Sequence, residues 1–210
     1  MQDRAELLYK SLEKSISSTT EDRFNAYRRL KSLNAASLKS ITFSSTALII
    51  ISILQISKIN TCTISDKTND LLSLALAAIP IIILVLSIAI ANCNYGIKSS
   101  QMHECGLLLN DLKRRIQPAI ILEEFNEGKY KEFAFQYNEI LTKYENHEDL
   151  DRRIRRIESR TKNQCPLMYF LIQTLKGTFL YGPEMLAYKF ITLASTLFPI
   201  FLIINTCKIS

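Results

Sequence analysis

The sequence predicts an all-α membrane protein in which a transmembrane helical hairpin is joined to a cytosolic helical bundle and a third, C-terminal transmembrane helix. Three observations predict this class. The 210 residues are 48% hydrophobic yet include only 5 glycines and 5 prolines, a composition that suits long helices better than a loop-rich β-fold. The apolar residues lie in blocks without charges, whereas a soluble amphipathic helix interleaves the two. The 26 Lys and Arg residues outnumber the 20 Asp and Glu residues and flank those blocks.

The first two apolar blocks predict the hairpin. Residues 40–57 carry no charge, and at 1.5 Å per residue they give about 27 Å of helix, close to the hydrocarbon thickness of a bilayer. Residues 71–97 are also uncharged and contain Pro80, which predicts a kink that membrane helices tolerate. The polar residues 58–70 predict a short turn. Buried helices or strands of a soluble protein are the alternative, but so small a chain cannot bury two such blocks.

The hairpin, residues 40–97, divides the rest of the chain. Residues 1–39 predict cytosolic N-terminal helices, and a capping box from Ser18 to Glu21 predicts that the second of these begins there. Residues 98–162 predict a cytosolic helical region that continues the second span.

The last segment, residues 163–210, is apolar again. Residues 163–175 are too short to span a membrane and predict an interfacial segment. Residues 190–207 are uncharged between Lys189 and Lys208 and predict a third span. The alternative is a helix packed on the first two or lying on the membrane.

Three apolar stripes at helical spacing predict the cytosolic bundle. The stripes are Met102, Cys105, Leu109, Leu112 and Ile116; then Phe133, Tyr137, Ile140, Leu141 and Tyr144; then Leu150, Ile154 and Ile157. We interpret each stripe as helix packing rather than as a ligand site.

The distribution of Lys and Arg predicts the orientation in the membrane. Residues 1–39 contain eight and residues 98–162 contain thirteen, whereas the turn 58–70 contains two. The N-terminus and residues 98–162 are therefore expected to be cytoplasmic. The candidate membrane-flanking basic residues are Arg28, Arg29, Lys31, Lys39, Lys98, Arg152, Arg153, Arg155 and Arg156.

Polar residues inside the spans are candidates for pore lining or for helix contacts. They are Ser45, Ser52, Gln55, Ser87, Asn92 and Asn94. They would line a water-filled path in a homo-oligomer, since two or three spans cannot enclose a pore alone, or they only join helices through hydrogen bonds. The spans contain no Lys, Arg, Asp or Glu, which disfavours an ion-coupled transporter.

Catalytic, cofactor and metal chemistry finds little support in the sequence. His103, Glu104 and Cys105 are adjacent, but consecutive helix residues point in different directions and cannot converge on one ion. The five cysteines form no CxxC pair, which favours neither a disulfide scaffold nor a zinc site. No catalytic signature, phosphate loop or nucleic-acid-binding motif is present. We therefore predict no enzyme, no cofactor and no direct binding of nucleic acid.

Two stretches of the sequence resemble a known family. "RFNAYRRLKSLNAASLKSITFSSTALIIISILQ" at residues 23–55 is a basic helix running into a span, and "NYGIKSSQMHECGLLLNDLKRRI" at residues 94–116 is a span leaving into a helix. With them, roughly residues 5–160 resemble the SLATT domain, the two-helix membrane effector associated with SMODS and SLOG proteins, most closely the subfamily found near reverse transcriptases.

The resemblance implies a membrane effector of a bacterial antiviral or conflict system. Such an effector would form a pore or disrupt the inner membrane, and would then cause abortive infection. Its implied partners are the lipid bilayer, further copies of itself and a sensor such as a reverse transcriptase or a nucleotidyltransferase. The alternative is a non-pore membrane anchor or scaffold for a cytosolic partner.

Overall fold

The computed structural model describes residues 2–58, 66–144, 149–164 and 181–207. Within these ranges the chain forms six helices and no strand, which confirms the all-α prediction. The helices are α1 (Gln2–Lys58), α2 (Asp66–Cys93), α3 (Tyr95–Ile121), α4 (Glu127–Lys143), α5 (Asp149–Gln164) and α6 (Pro183–Cys207). The predicted interfacial segment lies, from residue 165 onward, outside the described residues.

The chain divides into two compact units. Unit 1 comprises residues 1–31 and 96–180, and unit 2 comprises residues 32–95 and 181–210. The four segments predicted from the sequence are defined by where the chain enters and leaves the membrane, and these positions stay a prediction.

The buried face of α1 repeats every seven residues. At this interval the buried residues are, in unit 1, Tyr9, Ile16, Arg23 and Leu30, and in unit 2, Ser37, Ser44 and Ile51. A repeat of seven is the pattern of helices that pack along a narrow seam. We call these residues the α1 seam.

The helix start predicted at Ser18 is wrong, because α1 continues through this position. An N-cap residue needs a non-helical backbone, whereas the Ser18 hydroxyl donates to the carbonyl oxygen of Ser15, one turn earlier, at 3.0 Å. Ile16 and Thr20 on either side are both buried. Burial of this face holds the helix together across a sequence that would otherwise favour a start.

Unit 1 is built on an antiparallel pair of helices, α1 and α3. Lys113 Nζ donates to Ser17 Oγ at 3.0 Å, and the ring of Tyr27 lies 4.6 Å from that of His103. Residues later in α1 therefore contact residues earlier in α3, so the two helices run in opposite directions. The first predicted stripe is confirmed, since its five residues are all buried: Met102, Cys105, Leu109, Leu112 and Ile116.

Helices α4 and α5 pack against this pair. The Asn126 side chain caps α4 by accepting from the Lys129 backbone N–H at 3.1 Å. From the second stripe, Phe133, Tyr137 and Ile140 pack against the core of unit 1 and Tyr144 is buried within it. From the third stripe, Ile154 is fully buried.

Unit 2 contains the apolar helices. Ile51 of α1 is fully buried and packs against Leu76 and Ile79 of α2 and Phe198 of α6. In the described part of the chain, three helices are long and apolar enough to cross a membrane, and they include α6 with the predicted third span. The prediction of an all-α membrane protein is therefore confirmed.

The predicted continuation of the second span into the cytosolic helix is wrong in one respect. Asn94 separates α2 from α3 with φ of 50°, a left-handed conformation that asparagine tolerates better than most residues. The next residue, Tyr95, is buried. The backbone therefore breaks before α3 begins.

Candidate functional site

Two oppositely directed ion pairs join α5 to α1 within unit 1. Arg29 of α1 donates to Asp151 of α5 through two bonds, Nε to Oδ1 at 2.9 Å and Nη2 to Oδ2 at 3.1 Å. Arg155 of α5 donates from Nε to Asp22 Oδ1 of α1 at 2.6 Å. Each helix contributes one acid and one base, so the contact fixes both the register and the direction of α5.

This charged contact is shielded from water. The side chain of Asp151 is 0% exposed and that of Arg29 is 6% exposed. Arg23, a member of the α1 seam, is also fully buried, and its Nη1 donates to Met102 Sδ at 3.3 Å. Buried charges need close partners because desolvation is costly. The polar layer therefore favours one arrangement of α1, α3 and α5 over alternatives.

An aromatic cluster occupies the other end of unit 1. The hydroxyl of Tyr9 donates to the carbonyl oxygen of Asn126 at 2.8 Å, and the Tyr9 ring centroid lies 5.4 Å from that of Phe125 and 5.6 Å from that of Tyr130. A cavity of about 640 Å³ opens beside these rings and is also lined by Leu8. This end of the unit therefore has a concave surface that is lined by both apolar and charged residues.

Hydroxyl groups line the packed face of α1 in unit 2. Ser37, Ser40 and Ser44 are buried, and Ser44 Oγ lies 2.8 Å from Ser195 Oγ of α6. Small residues let membrane helices approach closely. The candidate Ser45 is a sequence neighbour of this face, and the signal of the face itself is the continued seven-residue repeat.

A second polar contact in unit 2 joins the start of α3 to α6. Tyr95 Oη donates to Glu184 Oε2 at 2.7 Å and lies 3.4 Å from Tyr188 Oη. Glu184 stands in the first turn of α6, where a negative charge is favourable. Nothing in the sequence marks this pairing, because its partners are 89 residues apart.

The six candidate pore-lining or helix-contact residues do not converge on one contact. On α1, Ser45, Ser52 and Gln55 are half-buried and flank the seam. On α2, Ser87 is half-buried and Asn92 is exposed, and Asn94 beyond it is exposed too.

Their hydrogen bonds differ in a way that matters in lipid. The Ser52 and Ser87 hydroxyls donate to carbonyl oxygens of their own helices, four residues earlier, at 2.9 Å and 2.7 Å. Asn94 Nδ2 lies 3.5 Å from the Asn92 carbonyl oxygen. The amides of Gln55 and Asn92 hydrogen-bond to no residue that the structure describes.

The nine candidate membrane-flanking basic residues separate into two groups. Arg29 and Arg155 form the two ion pairs between α1 and α5. The others present at least part of their side chains to the surroundings: Arg28, Lys31, Lys39, Lys98, Arg152, Arg153 and Arg156. Lys31 Nζ also lies 5.3 Å from the centroid of the Tyr27 ring.

Of the adjacent His103, Glu104 and Cys105, the histidine and the cysteine serve packing. Cys105 is fully buried and Glu104 is exposed, so the two side chains point in different directions. The His103 ring packs against the rings of Tyr27 and Phe24, with centroids 4.6 Å and 5.9 Å away. Across the described side chains, no group of three or more His, Cys, Asp or Glu residues could hold a metal ion.

These features define a helical membrane protein that includes a compact unit of charged helices. A family model described as SMODS and SLOG-associating 2TM effector domain family 5 matches residues 6–204, and the chain therefore belongs to that family. This confirms the resemblance to SLATT domains. Neither the curated proteins nor the solved structures give a match.

Membership of the family defines the class of function. The chain is a membrane effector domain of the kind found in conflict and defence systems, and the family is not a known enzyme family. Its description mentions two transmembrane helices, whereas the structure contains three helices capable of spanning a membrane in its described residues.

Proposed function

We propose that this chain is an antiviral effector that self-assembles in the bacterial inner membrane and permeabilises it when a sensor partner signals. The observation that carries self-assembly is the exposure of α2. The most apolar window of the candidate span containing α2 is only 6% buried within the chain. Lipid covers such a surface in a resting monomer, and neighbouring copies would cover part of it in an assembly.

The unbonded amides support the same proposal. The side-chain amides of Gln55 and Asn92 hydrogen-bond to no described residue, and an unsatisfied amide in the hydrocarbon region of a bilayer is costly. A second copy of the chain can supply the missing partner. In a larger ring of copies the same amides would face water and line a conducting path.

Leakage from dye-loaded vesicles tests the proposal. The purified chain is reconstituted into vesicles, the sensor partner is added, and dye release is followed by fluorescence. We expect Gln55→Leu with Asn92→Leu to reduce release about tenfold. Thr46→Val is the matched control, because Thr46 is exposed on α1 and its hydroxyl is already bonded to the Thr42 carbonyl oxygen at 2.9 Å.

Two results would count against a pore. One is an absence of leakage with the partner present under every activating condition. The other is equal leakage by the double variant, the Thr46 control and the unaltered chain.

The orientation belongs to the proposal as well. The N-terminus and residues 98–162 would face the cytoplasm, where a sensor partner can reach unit 1. The excess of Lys and Arg on these segments supports this. We propose a reverse transcriptase or a nucleotidyltransferase as the kind of sensor, which is what the resemblance to SLATT domains implies. The family description itself names association with SMODS and SLOG proteins.

A scaffold that anchors a cytosolic partner without forming a pore is the second candidate. It is favoured by the aromatic end of unit 1, where Leu7 and Leu122 are 68% and 64% exposed and the 640 Å³ cavity opens. Leu122→Ser would then abolish partner binding in a pull-down, and Gln55→Leu would leave function intact. Phe133 and Tyr137 pack against the core of unit 1, so changes there would disturb folding and would not separate the two candidates.

A further inference from the structure

Helix α5 presents two chemically different faces. Its inner face carries Asp151 and Ile154, both fully buried, and Arg155, which is bonded to Asp22. Its outer face carries three exposed arginines, Arg152, Arg153 and Arg156. We call these three residues the arginine face.

The ion pairs determine which arginines point outward. Arg155 is occupied by Asp22 at 2.6 Å, and the pair of Arg29 and Asp151 fixes the rotation of α5 about its axis. Arg153 and Arg156 form no ion pair with any residue in the described ranges. Within this run of basic residues, Arg155 therefore has a structural role, and the arginine face forms a positively charged surface.

We propose that the arginine face binds the anionic headgroups of the phospholipids in the membrane that this chain occupies. A guanidinium group presents a planar set of donors that matches phosphate oxygens, so the chemistry of the face suits a phosphodiester. The inference depends on the membrane assignment and is independent of whether a pore forms.

The covalent chain keeps this face close to a bilayer. Arg29, which holds α5, precedes Ser40, the first residue of the uncharged block, by eleven residues. Even a fully extended chain of that length reaches at most about 40 Å. Tethering of this kind gives the face a high effective concentration of headgroups, whereas a soluble polyanion must be captured from solution.

Hydrogen exchange on the full chain in nanodiscs tests the proposal. One set of discs contains only phosphatidylcholine, and the other contains phosphatidylglycerol in addition. We expect the amides of α5 to gain protection in the anionic discs and to lose that gain at high salt, where headgroup attraction is screened. Each arginine near an anionic surface is worth about fivefold in affinity, so Arg153→Gln with Arg156→Gln should abolish most of the gain.

The matched control is Lys129→Gln with Lys131→Gln, which removes two exposed charges from α4 and should preserve the gain. Equal protection of α5 in both kinds of disc would overturn the proposal. The proposal would also be overturned if the control variant lost the lipid-dependent protection of α5 to the same extent. Protection that appears in neutral discs only when an RNA oligonucleotide is added would overturn it too.

Misfolding of the arginine variant is recognised by loss of protection in α4. In that event Arg153→Lys with Arg156→Lys decides the question, because this variant keeps both charges. Lysine keeps the charge but not the planar set of donors, so reduced but salt-sensitive protection supports the proposal. Complete loss of the protection in a folded variant contradicts it, because two retained charges still attract anionic headgroups.

Discussion

Arg29 and Asp151 lie 122 residues apart in the sequence, yet they share two hydrogen bonds of 2.9 Å and 3.1 Å in the interior of unit 1. The geometry is the bidentate arrangement in which an arginine and a carboxylate bind each other most strongly. The pair therefore sets the position of α5 on α1.

Removing the carboxylate should release α5. Asp151→Asn leaves the 6% exposed Arg29 without its charged partner, and loss of one member of a buried pair costs about 3–5 kcal/mol. Denaturant unfolding in detergent measures the change. Asp111→Asn is the control, because its pair with Arg115 is exposed and should be worth less than about 1 kcal/mol. Similar effects of the two substitutions would contradict a buried clamp.

The contact between α1 and α3 should tolerate no side chain at position 106. A Cβ atom on Gly106 would lie 3.0 Å to 3.3 Å from three atoms of the Phe24 ring. Gly106→Ala should therefore destabilise the chain by about 1–3 kcal/mol through overpacking, offset in part by the better helix propensity of alanine. Phe24→Leu in the same chain should recover part of the loss. Strictly additive unfolding energies would contradict this close approach.

Parallel packing of α1 and α6 can be tested by cross-linking. Ser44 and Ser195 hydroxyl oxygens are 2.8 Å apart, so Ser44→Cys with Ser195→Cys should form a disulfide under mild oxidation. The five natural cysteines are replaced by serine beforehand, and mass spectrometry detects the bond. Ser44→Cys with Leu193→Cys is the control, because Leu193 is exposed. Equal cross-linking of both pairs would refute the contact.

The same parallel packing predicts the topology of the third span. Ser44 contacts Ser195, and Ile51 further along α1 packs on Phe198 further along α6, so the two helices cross a membrane in the same direction. Alkaline phosphatase, which needs an oxidising compartment for its disulfides, should be active when fused after residue 61 or residue 207. It should be inactive when fused after residue 144. Activity at residue 144 would reverse the proposed orientation.

Alkaline pH should destabilise unit 1 through Tyr144. Burial, with a smaller contribution from Glu104, raises the pKa of this phenol. In the unfolded chain Tyr144 ionises near pH 10, whereas in the folded chain it stays protonated to higher pH. The free energy of unfolding therefore decreases as the pH rises above 10. Between pH 8 and pH 11 the unaltered chain should lose more unfolding free energy than Tyr144→Phe. Equal losses would show that the phenol does not titrate with folding.

Local patterns predicted much of the fold. Met102, Leu109 and Ile116 recur at seven residues, and helical periodicity alone placed them on one buried face. The third apolar helix followed from the uncharged residues 190–207, which lie within α6. These predictions succeeded because both signals depend on neighbours along one helix.

Features that depend on distant residues were not predictable in the same way. From the sequence, Arg29 was interpreted as one more basic residue before a span, because its partner Asp151 is brought to it only by folding. Ser18 had the local chemistry of a helix start, but the packing of Ile16 and Thr20 outweighed it. Asn94 could have suggested a break from its residue type, yet the uncharged sequence around it favoured a continuous helix.

The seam of α1 has a consequence for the lengths that this helix can adopt. Within unit 1 the seam residues Tyr9, Ile16 and Arg23 return to the buried face every seven positions. One inserted residue between Tyr9 and Arg23 would rotate Arg23 by about 100° about the helix axis relative to Tyr9. Arg23 would then leave the buried face and become exposed. Seven inserted residues would return Arg23 nearly to its original angle about the helix axis, although about 10 Å further along that axis. Insertions and deletions in this part of α1 should therefore be less disruptive in heptads than singly.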